Sequence, residues 1–336
     1  NFEFHYIYFL PWKNQLVEAI EQAGGIVHCF SASNNIFILL QFSRVLRYVR
    51  ENKIDIIHCH LPWAGFVGRL VYRFSKIPVL YSEHNKQERY HGVTFFLNKF
   101  SFNWQTKVIA VSEDVKESII KNIAPSIPVI TVLNGVNTAS FVRDEAAGST
   151  LRAKLAIPAD ALVVGTIAVF RFQKRLLEWL QVARQILNED PSVYFIIVGD
   201  GPLKDDILNK RKELHLEERV IMAGLQTNVN PWLSAIDVYM MSSVFEGLPI
   251  ALLEAMSMGC AVVTTDAGGI KEVIRDHRDG LMVSVDNWTS LSGLVLSMQD
   301  TAKRKQLAQA ARSRVEESFS LQIMVKELES IYKKVL

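Results

Sequence analysis

Residues 238–265 read VYMMSSVFEGLPIALLEAMSMGCAVVTT, and they give the clearest indication of the fold class. The apolar run at 238–241 suits a buried strand, and the run at 261–265 suits a second one. Between them, Pro249 is typical of a first helical turn and Gly259 of a helix C-terminus, so we predict a helix there. Two buried strands joined by a helix form a parallel βαβ unit.

The same alternation of short apolar runs and longer helical stretches continues along the chain. The other predicted strands are residues 4–9, 54–58, 79–82, 108–111, 129–132, 163–169 and 193–198. Because 336 residues exceed the usual size of one hydrophobic core, the pattern predicts an α/β protein with two doubly wound, Rossmann-like domains. Ligands of such sheets bind at the carboxyl ends of the strands, so we expect the two domains to face a cleft.

A segment of mixed composition at residues 138–160 breaks both periodicities and suits a linker between the domains. Beyond it, a charged helix is predicted from about residue 301, with a break near Phe319 and an amphipathic helix after it. The predicted parts are a first domain at residues 1–145, a second at 146–318 and a returning C-terminal helix at 319–336.

Charge and cysteine content exclude several classes of protein. The net charge is +2 and no basic run has interleaved aromatic residues, which argues against nucleic-acid binding. Residues 1–150 hold 15 Lys+Arg and 12 Asp+Glu, an excess that permits contact with the inner, anionic face of a membrane. Three cysteines without a C-x-x-C pair disfavour disulfides and structural zinc and indicate a reducing, cytoplasmic compartment. The apolar stretches fall short of the roughly 20 residues of a membrane-spanning helix.

Glu246 and Glu254 flank the start of the predicted helix. At helical rise they lie about 12 Å apart, farther than the roughly 5 to 9.5 Å between the two carboxylates of a glycosidase. They therefore do not form a hydrolytic pair. Each can accept hydrogen bonds from vicinal hydroxyls on a different part of one long ligand. The helix N-terminus between them suits an anion such as a diphosphate.

This segment resembles the E-x7-E signature of the retaining glycosyltransferases of family 4, also called group 1, which share the two-domain GT-B fold. The resemblance implies that Glu246 contacts the hydroxyls of a donor sugar and Glu254 those of the ribose. Gly247, Leu248 and Pro249 then belong to the donor-binding loop. The next strand also resembles the family, although Ala261 stands where proline is usual, a change that affects packing.

Three cations lie in the loop after the predicted strand at 163–169, and the resemblance gives them a role. It implies that Arg171 and Lys174 bind the diphosphate and stabilise the charge that develops as it leaves. Arg175 is an alternative to Lys174, because the spacing is shorter than in the commonest form of the family.

The run VGDGP at residues 198–202 ends a strand and opens a helix. Lys204 occupies the third glycine position of the dinucleotide fingerprint, which argues against NAD. The run resembles the G-x-G-P turn of the family, in which the glycines, here Gly199 and Gly201, let the backbone approach the nucleotide.

In the first domain, His84 follows the predicted strand at 79–82 and is expected to point at the cleft. A lone histidine is more often structural, but members of the family carry one here that contacts the donor sugar or phosphate. His58 and His60 resemble the end of the family's D-x-x-H-x-H strand. There, a structural role is favoured for His60, with a place on the acceptor side as the alternative.

Two further matches, Ser112 as a helix N-cap and Asn134 as a turn residue, extend the ordered resemblance over about residues 50–285. Members of the family begin with a strand, a glycine-rich loop and a helix ahead of the strand at residues 4–9. We therefore expect the first βα unit to be missing here, and activity to belong to the complete protein.

The resemblance implies transfer of a sugar, with retention, from a nucleotide sugar to a hydroxyl of a glycan or lipid-linked acceptor in cell-surface polysaccharide or glycolipid synthesis. UDP is the first candidate for the nucleotide. No D-x-D triplet occurs, so we expect neither a metal nor another cofactor. The alternatives are a nucleotide-sugar 2-epimerase, which would release an epimer or free sugar without acceptor, and a non-catalytic protein, which would bind the donor without turnover.

Overall fold

The computed structural model describes residues 2–336 and divides into two compact units. One unit is the chain up to Val132 together with Leu328–Leu336, and the other is Leu133–Glu327. The first unit has two parallel sheets and the second has one. The predicted α/β class with two Rossmann-like domains is confirmed.

The division between the units falls at Val132, whereas the sequence placed the boundary after residue 145. Residues 133–144 belong to the second unit because their polar side chains bind its backbone. Arg143 Nε donates to the carbonyl oxygen of Met258 at 3.0 Å, and Asn134 Nδ2 donates to that of Leu248 at 2.9 Å. These contacts join residues more than 100 positions apart, so composition alone does not reveal them.

Strands and helices alternate in the first unit. Its strands are β1 (His5–Tyr8), β2 (Ile26–Cys29), β3 (Ile57–His60), β4 (Val79–Glu83), β5 (Lys107–Ala110) and β6 (Val129–Thr131). Its helices before the final one are α1 (Val17–Gln22), α2 (Asn35–Leu39), α3 (Phe42–Glu51), α4 (Pro62–Ser75), α5 (Gly92–Ser101) and α6 (Glu113–Ile123).

The strands of the first unit form two sheets. β3, β4, β5 and β6 lie side by side in that order and run parallel, and β1 pairs in parallel with β2 in a separate sheet. A cavity of about 270 Å³ lies between the sheets, lined by side chains of β1 and β3 such as Ile7 and Cys59. All five residues of β4 are buried, as expected for a parallel strand covered by helices on both faces.

The second unit repeats the alternation. Its strands are β7 (Val163–Ile167), β8 (Tyr194–Val198), β9 (Val220–Gly224), β10 (Val238–Met241), β11 (Ala261–Thr265) and β12 (Leu281–Val283). Its helices are α7 (Glu145–Lys154), α8 (Leu176–Glu189), α9 (Lys204–Glu213), α10 (Asn230–Ala235), α11 (Ile250–Ser257), α12 (Ile270–Val273), α13 (Leu291–Leu296), α14 (Thr301–Ser318) and α15 (Leu321–Val335), the last of which ends in the first unit.

The six strands of the second unit form one parallel sheet in the order β12-β11-β10-β7-β8-β9. This order is characteristic of the Rossmann fold, and its direction reverses between β7 and β10. Ligands of such sheets bind beyond the carboxyl ends of the strands at that reversal. The loops after β7 and β10 are therefore the ones that line the ligand crevice of this sheet.

Helix α11 shows how local sequence sets the ends of an element. Pro249 is its N-cap, one position before the predicted first turn, with φ −75° and ψ 116°. At the other end Gly259 adopts φ +70°, a left-handed conformation that favours glycine. The Gly259 N–H donates to the Met256 carbonyl and the Cys260 N–H to that of Ala255, both at 3.0 Å. These two bonds form a Schellman motif, which ends the helix where predicted.

The predicted strands at 238–241 and 261–265 coincide with β10 and β11. The strand predicted at 54–58 is β3, which begins later because the Ile54 N–H bonds the Val49 carbonyl at the end of α3. β2, β9 and β12 were not predicted. The break near Phe319 is confirmed, because Phe319 is the C-cap of α14.

Candidate functional site

A lysine and a glutamate meet where the loops after β7 and β10 come together. Lys174 Nζ lies 2.7 Å from Glu246 Oε1, and Ser243 Oγ donates to the same oxygen at 2.6 Å. The two charged side chains are 18% and 10% exposed. Charges shielded from water interact more strongly than charges on an open surface. The second unit thus holds a preformed cation–carboxylate pair at the reversal of its strand order.

Hydrogen bonds from hydroxyl side chains fix the two loops to each other. Ser242 Oγ donates to the carbonyl oxygens of Lys174 and Arg175 at 3.1 and 2.9 Å. Thr265 Oγ1, at the end of β11, donates to the Ser243 carbonyl at 2.6 Å. The sequence analysis missed Ser242, Ser243 and Thr265. Their signal was a hydroxyl residue directly at the carboxyl end of a buried strand.

The structure separates the three predicted cations. Arg171 is exposed, and its guanidinium has no ion pair among residues 2–336. Arg175 Nη1 donates to the Val285 carbonyl at 2.7 Å, and its Nε lies 3.8 Å from the Glu178 carboxylate. Lys174, and not Arg175, contacts Glu246. The geometry therefore favours Lys174 for the predicted lysine role, and it leaves Arg171 available to a ligand.

Glu246 and Glu254 lie on either side of the start of α11, as the sequence predicted. Glu246 is in the loop and Glu254 is in the helix, which begins at Ile250. Burial raises the pKa of Glu254. This carboxylate is therefore one that gains from hydrogen-bond donors such as hydroxyls.

The three other predicted residues of this segment shape the loop between the glutamates. Gly247 precedes Leu248, whose side chain is buried and whose carbonyl oxygen accepts the bond from Asn134 Nδ2. Pro249 then caps the helix. These positions act through the backbone, since none of the three side chains carries a polar group.

The two glycines of the turn after β8 pack against the loop after β7. A Cβ on Gly199, which has φ +134°, would lie 1.9 Å from the carbonyl oxygen of Ala168. A Cβ on Gly201 would lie 2.6 Å from the backbone nitrogen of Phe170. Only glycine fits at these distances, so the turn supports the loop that carries Arg171 and Lys174.

In the first unit, His84 follows β4 and its Nε2 lies 3.1 Å from Nδ1 of His60. Burial and the neighbouring His60 lower the pKa of His84 to about 4. The imidazole is therefore neutral at pH 7. It can exchange hydrogen bonds with a ligand but does not supply a fixed positive charge.

His58 has a structural role within the first unit. Its Nδ1 lies 2.6 Å from the hydroxyl of Tyr332 and its Nε2 lies 2.8 Å from Oγ of Ser82. Burial, with the nearby His60 and His84, lowers its pKa to about 3. Both ring nitrogens have partners, so His58 holds helix α15 against the sheet of this unit.

Glu83, which the sequence analysis missed, fixes the backbone beside His84. Its side chain is fully buried, and burial raises the pKa of its carboxyl. The groups that donate to this carboxylate are Tyr81 OH (2.9 Å), Gln87 Nε2 (2.7 Å), the backbone N–H groups of His84 (3.0 Å) and Asn85 (3.2 Å), and the hydroxyl of Tyr90. The available signal was a charged residue directly at the carboxyl end of a buried strand.

No helix among the described residues is long and apolar enough to cross a membrane. Residues 2–336 also contain no group of three or more His, Cys, Asp or Glu side chains placed to hold a metal ion.

Two Rossmann-like units with parallel sheets, one of them with a charged loop site at its strand reversal, define the fold class of the GT-B glycosyltransferases. Residues 5–140 match the model of Glycosyltransferase Family 4, and residues 149–314 match that of the Glycosyl transferases group 1. The chain therefore belongs to the group 1 glycosyltransferases, and the resemblance seen in the sequence is confirmed.

The relatives with assigned activities have low sequence identity to this chain, but they match it over most of its length. The chain is 24% identical over 297 residues to UDP-Gal:alpha-D-GlcNAc-diphosphoundecaprenol alpha-1,3-galactosyltransferase of Escherichia coli, covering 85% of this chain and 77% of the relative. It is 26% identical over 302 residues to N-acetyl-alpha-D-glucosaminyl L-malate synthase of Bacillus anthracis, covering 88% and 78%.

Among solved structures, the Anabaena protein Alr3699/HepE in complex with UDP and glucose superposes with a TM-score of 0.87 at 20% identity. The match covers 99% of this chain and 100% of that one. At this identity the likeness establishes the fold.

Proposed function

We propose that this protein transfers a sugar from a nucleotide sugar, with UDP as the nucleotide, to a hydroxyl of a glycan or lipid-linked acceptor, with retention and without a metal or other cofactor. The contact between Lys174 and Glu246 at the strand reversal of the second unit carries the proposal. A cation beside a carboxylate suits a ligand that presents hydroxyls next to a diphosphate, because the carboxylate accepts from hydroxyls and the cation faces phosphate oxygens.

In this proposal, each residue of the second-unit site contacts one part of the donor. Glu246 accepts from hydroxyls of the sugar, and Glu254 accepts from hydroxyls of the ribose. Lys174 and the exposed Arg171 face the diphosphate. Because Ser243 also binds Glu246, the carboxylate is oriented before the donor arrives.

In the reaction, the bond between the anomeric carbon and the diphosphate oxygen breaks as the acceptor oxygen bonds to that carbon on the same face. The departing diphosphate oxygen takes the proton of the acceptor hydroxyl. Negative charge grows on the diphosphate in the transition state, where Lys174 and Arg171 stabilise it. His84, neutral at pH 7, is proposed as a hydrogen-bonding group toward the donor.

The relatives support the choice of substrates. The Escherichia coli relative is described as using UDP-Gal and a diphosphoundecaprenol acceptor, and the Anabaena structure contains UDP. A lipid-linked acceptor and a UDP-sugar donor are therefore the first substrates to test.

The test is release of nucleotide from a panel of nucleotide sugars, with and without acceptors, by the wild-type protein and by Glu246→Gln and Arg171→Ala. We expect Arg171→Ala to lose at least about 100-fold in kcat/KM, as for removal of one group that stabilises transition-state charge. Glu246→Gln should also lower kcat/KM, because it removes the charged acceptor of the sugar hydroxyls and leaves Lys174 without its partner. Arg184→Ala is the matched control, because Arg184 lies on α8 and bonds Asn188. Wild-type rates in both site variants would overturn the assignment, and an epimer formed without acceptor would indicate the epimerase instead.

Two further measurements test the finer claims. The anomeric configuration of the product, read by NMR coupling constants, should equal that of the donor, and inversion would contradict the proposed mechanism. Activity should be the same in excess EDTA as in added Mg²⁺ or Mn²⁺. Loss of turnover in EDTA that is restored by metal would exclude a metal-independent reaction.

A further inference from the structure

One surface of the first unit combines exposed apolar side chains with a row of arginines. Residues 35–51 form α2 and α3, and the two residues between them, Leu40 and Gln41, also have right-handed helical dihedral angles. The Gln41 N–H bonds the Ile38 carbonyl and the Val45 N–H bonds the Gln41 carbonyl, so α3 follows α2 through one turn with helical dihedral angles. The buried side chains of this stretch, among them Ile38, Val45 and Val49, pack into the core of the first unit.

The opposite face of this stretch changes in character along its length. Its first part is apolar: Ile36, Phe37 and Leu40 are 68%, 47% and 66% exposed. Its second part is cationic, with exposed arginines at positions 44, 47 and 50. The spacing of Ile36, Leu40, Arg44, Arg47 and Arg50 is three or four residues, so these side chains form a single stripe. We call it the α2–α3 stripe.

Within residues 2–336, the arginines of the α2–α3 stripe form no ion pair with a carboxylate. Arg44 donates to Gln41 Oε1 at 3.1 Å and its guanidinium lies 5.1 Å from the Phe30 ring. Arg50 donates to the Phe74 carbonyl at 3.2 Å. Among the described residues, no Asp or Glu oxygen lies within ion-pair distance of Arg44, Arg47 or Arg50. Glu51, one turn after Arg47 at the end of α3, is the first acidic residue after Glu21, so the stripe carries a net positive charge.

We propose that the α2–α3 stripe docks the protein on a bilayer that contains anionic lipids. Acyl chains offer an apolar medium for Ile36, Phe37 and Leu40, and the phosphates beside those chains offer anions for the arginines. An interfacial helix with apolar and cationic parts binds by this combination. Nucleic acid would match the arginines but leave the aliphatic side chains in water. The inference rests on these exposed residues and not on the proposed donor chemistry.

The test is co-sedimentation of the full chain with vesicles of phosphatidylcholine alone and with vesicles that contain 40% phosphatidylglycerol. We expect binding to the anionic vesicles only, weakened in high salt because the charges are exposed. Each arginine near the surface contributes about fivefold. The variant Arg44→Gln/Arg47→Gln/Arg50→Gln should thus bind about 100-fold more weakly, and Ile36→Ser/Leu40→Ser should also lose binding.

Two controls separate location from composition. Lys326→Gln/Lys333→Gln/Lys334→Gln removes the same number of positive charges from exposed positions of α15. Phe96→Ser/Phe100→Ser removes two exposed apolar side chains, 69% and 67% exposed, from α5 of the same unit. Both controls should bind as the wild type does. Circular dichroism and thermal unfolding confirm that each variant is folded.

Several outcomes would overturn the proposal. They are absence of wild-type binding to either vesicle, equal binding to neutral and anionic vesicles, and equal losses in the control variants. A change of oligomeric state in Ile36→Ser/Leu40→Ser, measured by sedimentation velocity without vesicles, would instead assign the stripe to contact between two copies of the chain. Because release of UDP by the second unit is measured separately, failure of docking and failure of the donor assignment are distinguishable.

Discussion

Lys174 and Glu246 form the contact on which the proposed chemistry depends. Their ion pair is largely shielded from water, and Ser243 adds a hydrogen bond to the same carboxylate oxygen. Removal of one partner from such a pair leaves the other charge without compensation. At the scale of single residues, the lysine holds the carboxylate in place, and in the proposed function it also supplies charge to the diphosphate.

Replacement of Lys174 and of Arg175, each by methionine in a separate variant, tests this assignment. We expect Lys174→Met to lower kcat/KM for donor turnover by about 100- to 1,000-fold, because a group that stabilises transition-state charge is lost. Arg175→Met should lower it by less than about tenfold, since Arg175 binds the Val285 carbonyl and lies near Glu178. The measurement is nucleotide release at several donor concentrations. Equal losses in the two variants would contradict a special role for Lys174.

The buried imidazole of His58 should make the stability of the protein depend on pH. Its pKa is about 3 in the folded protein and 6.5 in its unperturbed state, because burial disfavours the imidazolium form. Below pH 6.5 the unfolded chain takes up a proton that the folded chain does not, so stability falls as the pH falls. Between pH 7 and 5 this one group should remove on the order of 1 to 2 kcal/mol.

The effect is measured as the decrease in the thermal midpoint between pH 7 and pH 5. His58→Asn should unfold at a lower temperature at pH 7 but show a smaller decrease on acidification. His277→Asn, at an exposed position, should keep the decrease of the wild type. A His58→Asn variant with an unchanged pH dependence would contradict the assignment.

At the scale of elements, the turn after β8 and the loop after β7 act as one assembly. The Phe170 N–H donates to the Asp200 carbonyl at 2.9 Å, and the Leu203 N–H donates to the Phe170 carbonyl at 3.1 Å. Gly199 and Gly201 permit this approach because a side chain at either position would overlap the opposite backbone. The position of the cationic loop thus depends on residues that carry no charge.

Alanine substitutions test that dependence. We expect Gly199→Ala to destabilise the second unit by more than about 2 kcal/mol, because a Cβ there would be 1.9 Å from a carbonyl oxygen and φ is +134°. Gly201→Ala should raise KM for the donor. Gly293→Ala, in α13 with no atom within 4 Å of the added Cβ, should be neutral or stabilising. Thermal unfolding measures the change in stability, and donor kinetics measure the change in KM. Unchanged stability of Gly199→Ala would contradict the predicted overlap of its Cβ with the carbonyl oxygen.

At the scale of the whole molecule, the chain returns to its first unit at the end. The last residues of α15, from Leu328, belong to the unit that contains the start of the chain. There Ile331 is 8% exposed, and the Tyr332 hydroxyl bonds His58. The stability of the first unit therefore depends on residues more than 190 positions away from Val132 in sequence.

Truncation of these side chains measures that dependence. Ile331→Ala should cost about 2 kcal/mol or more through loss of buried methyl groups, and Tyr332→Phe about 1 kcal/mol through loss of its hydrogen bond. Lys333→Ala, at an exposed position in the same turn, should change stability by less than about 0.5 kcal/mol. The free energy of unfolding is measured by denaturant titration, with limited proteolysis reporting the unfolding of the first unit. Three equal effects would show that α15 does not stabilise this unit through the contacts described.

Elements with a clear apolar periodicity and with proline or glycine at their ends were predicted well, and others were not. β10 and β11 are continuous apolar runs, and the helix α11 between them is bounded by a proline and a glycine. The bounds of all three elements agree with the prediction to within one residue. β2 carries a histidine and a cysteine at its end, and β12 has three residues, so neither gives a sustained apolar run. The boundary at Val132 depends on Arg143 and Asn134, whose partners are distant in sequence.

The fold class and the residue types of the candidate site could be predicted from the sequence, because strand and helix periodicity are local and the order of the motifs is read along the chain. The contact of Glu246 with Lys174 rather than Arg175, and the bonds of both His58 ring nitrogens, could not be predicted without the three-dimensional structure. Lys174 and Glu246 are 72 residues apart, and they meet because β7 and β10 are neighbours in the sheet. Strand order is set by the packing of the whole unit, and for that reason no local pattern contains it.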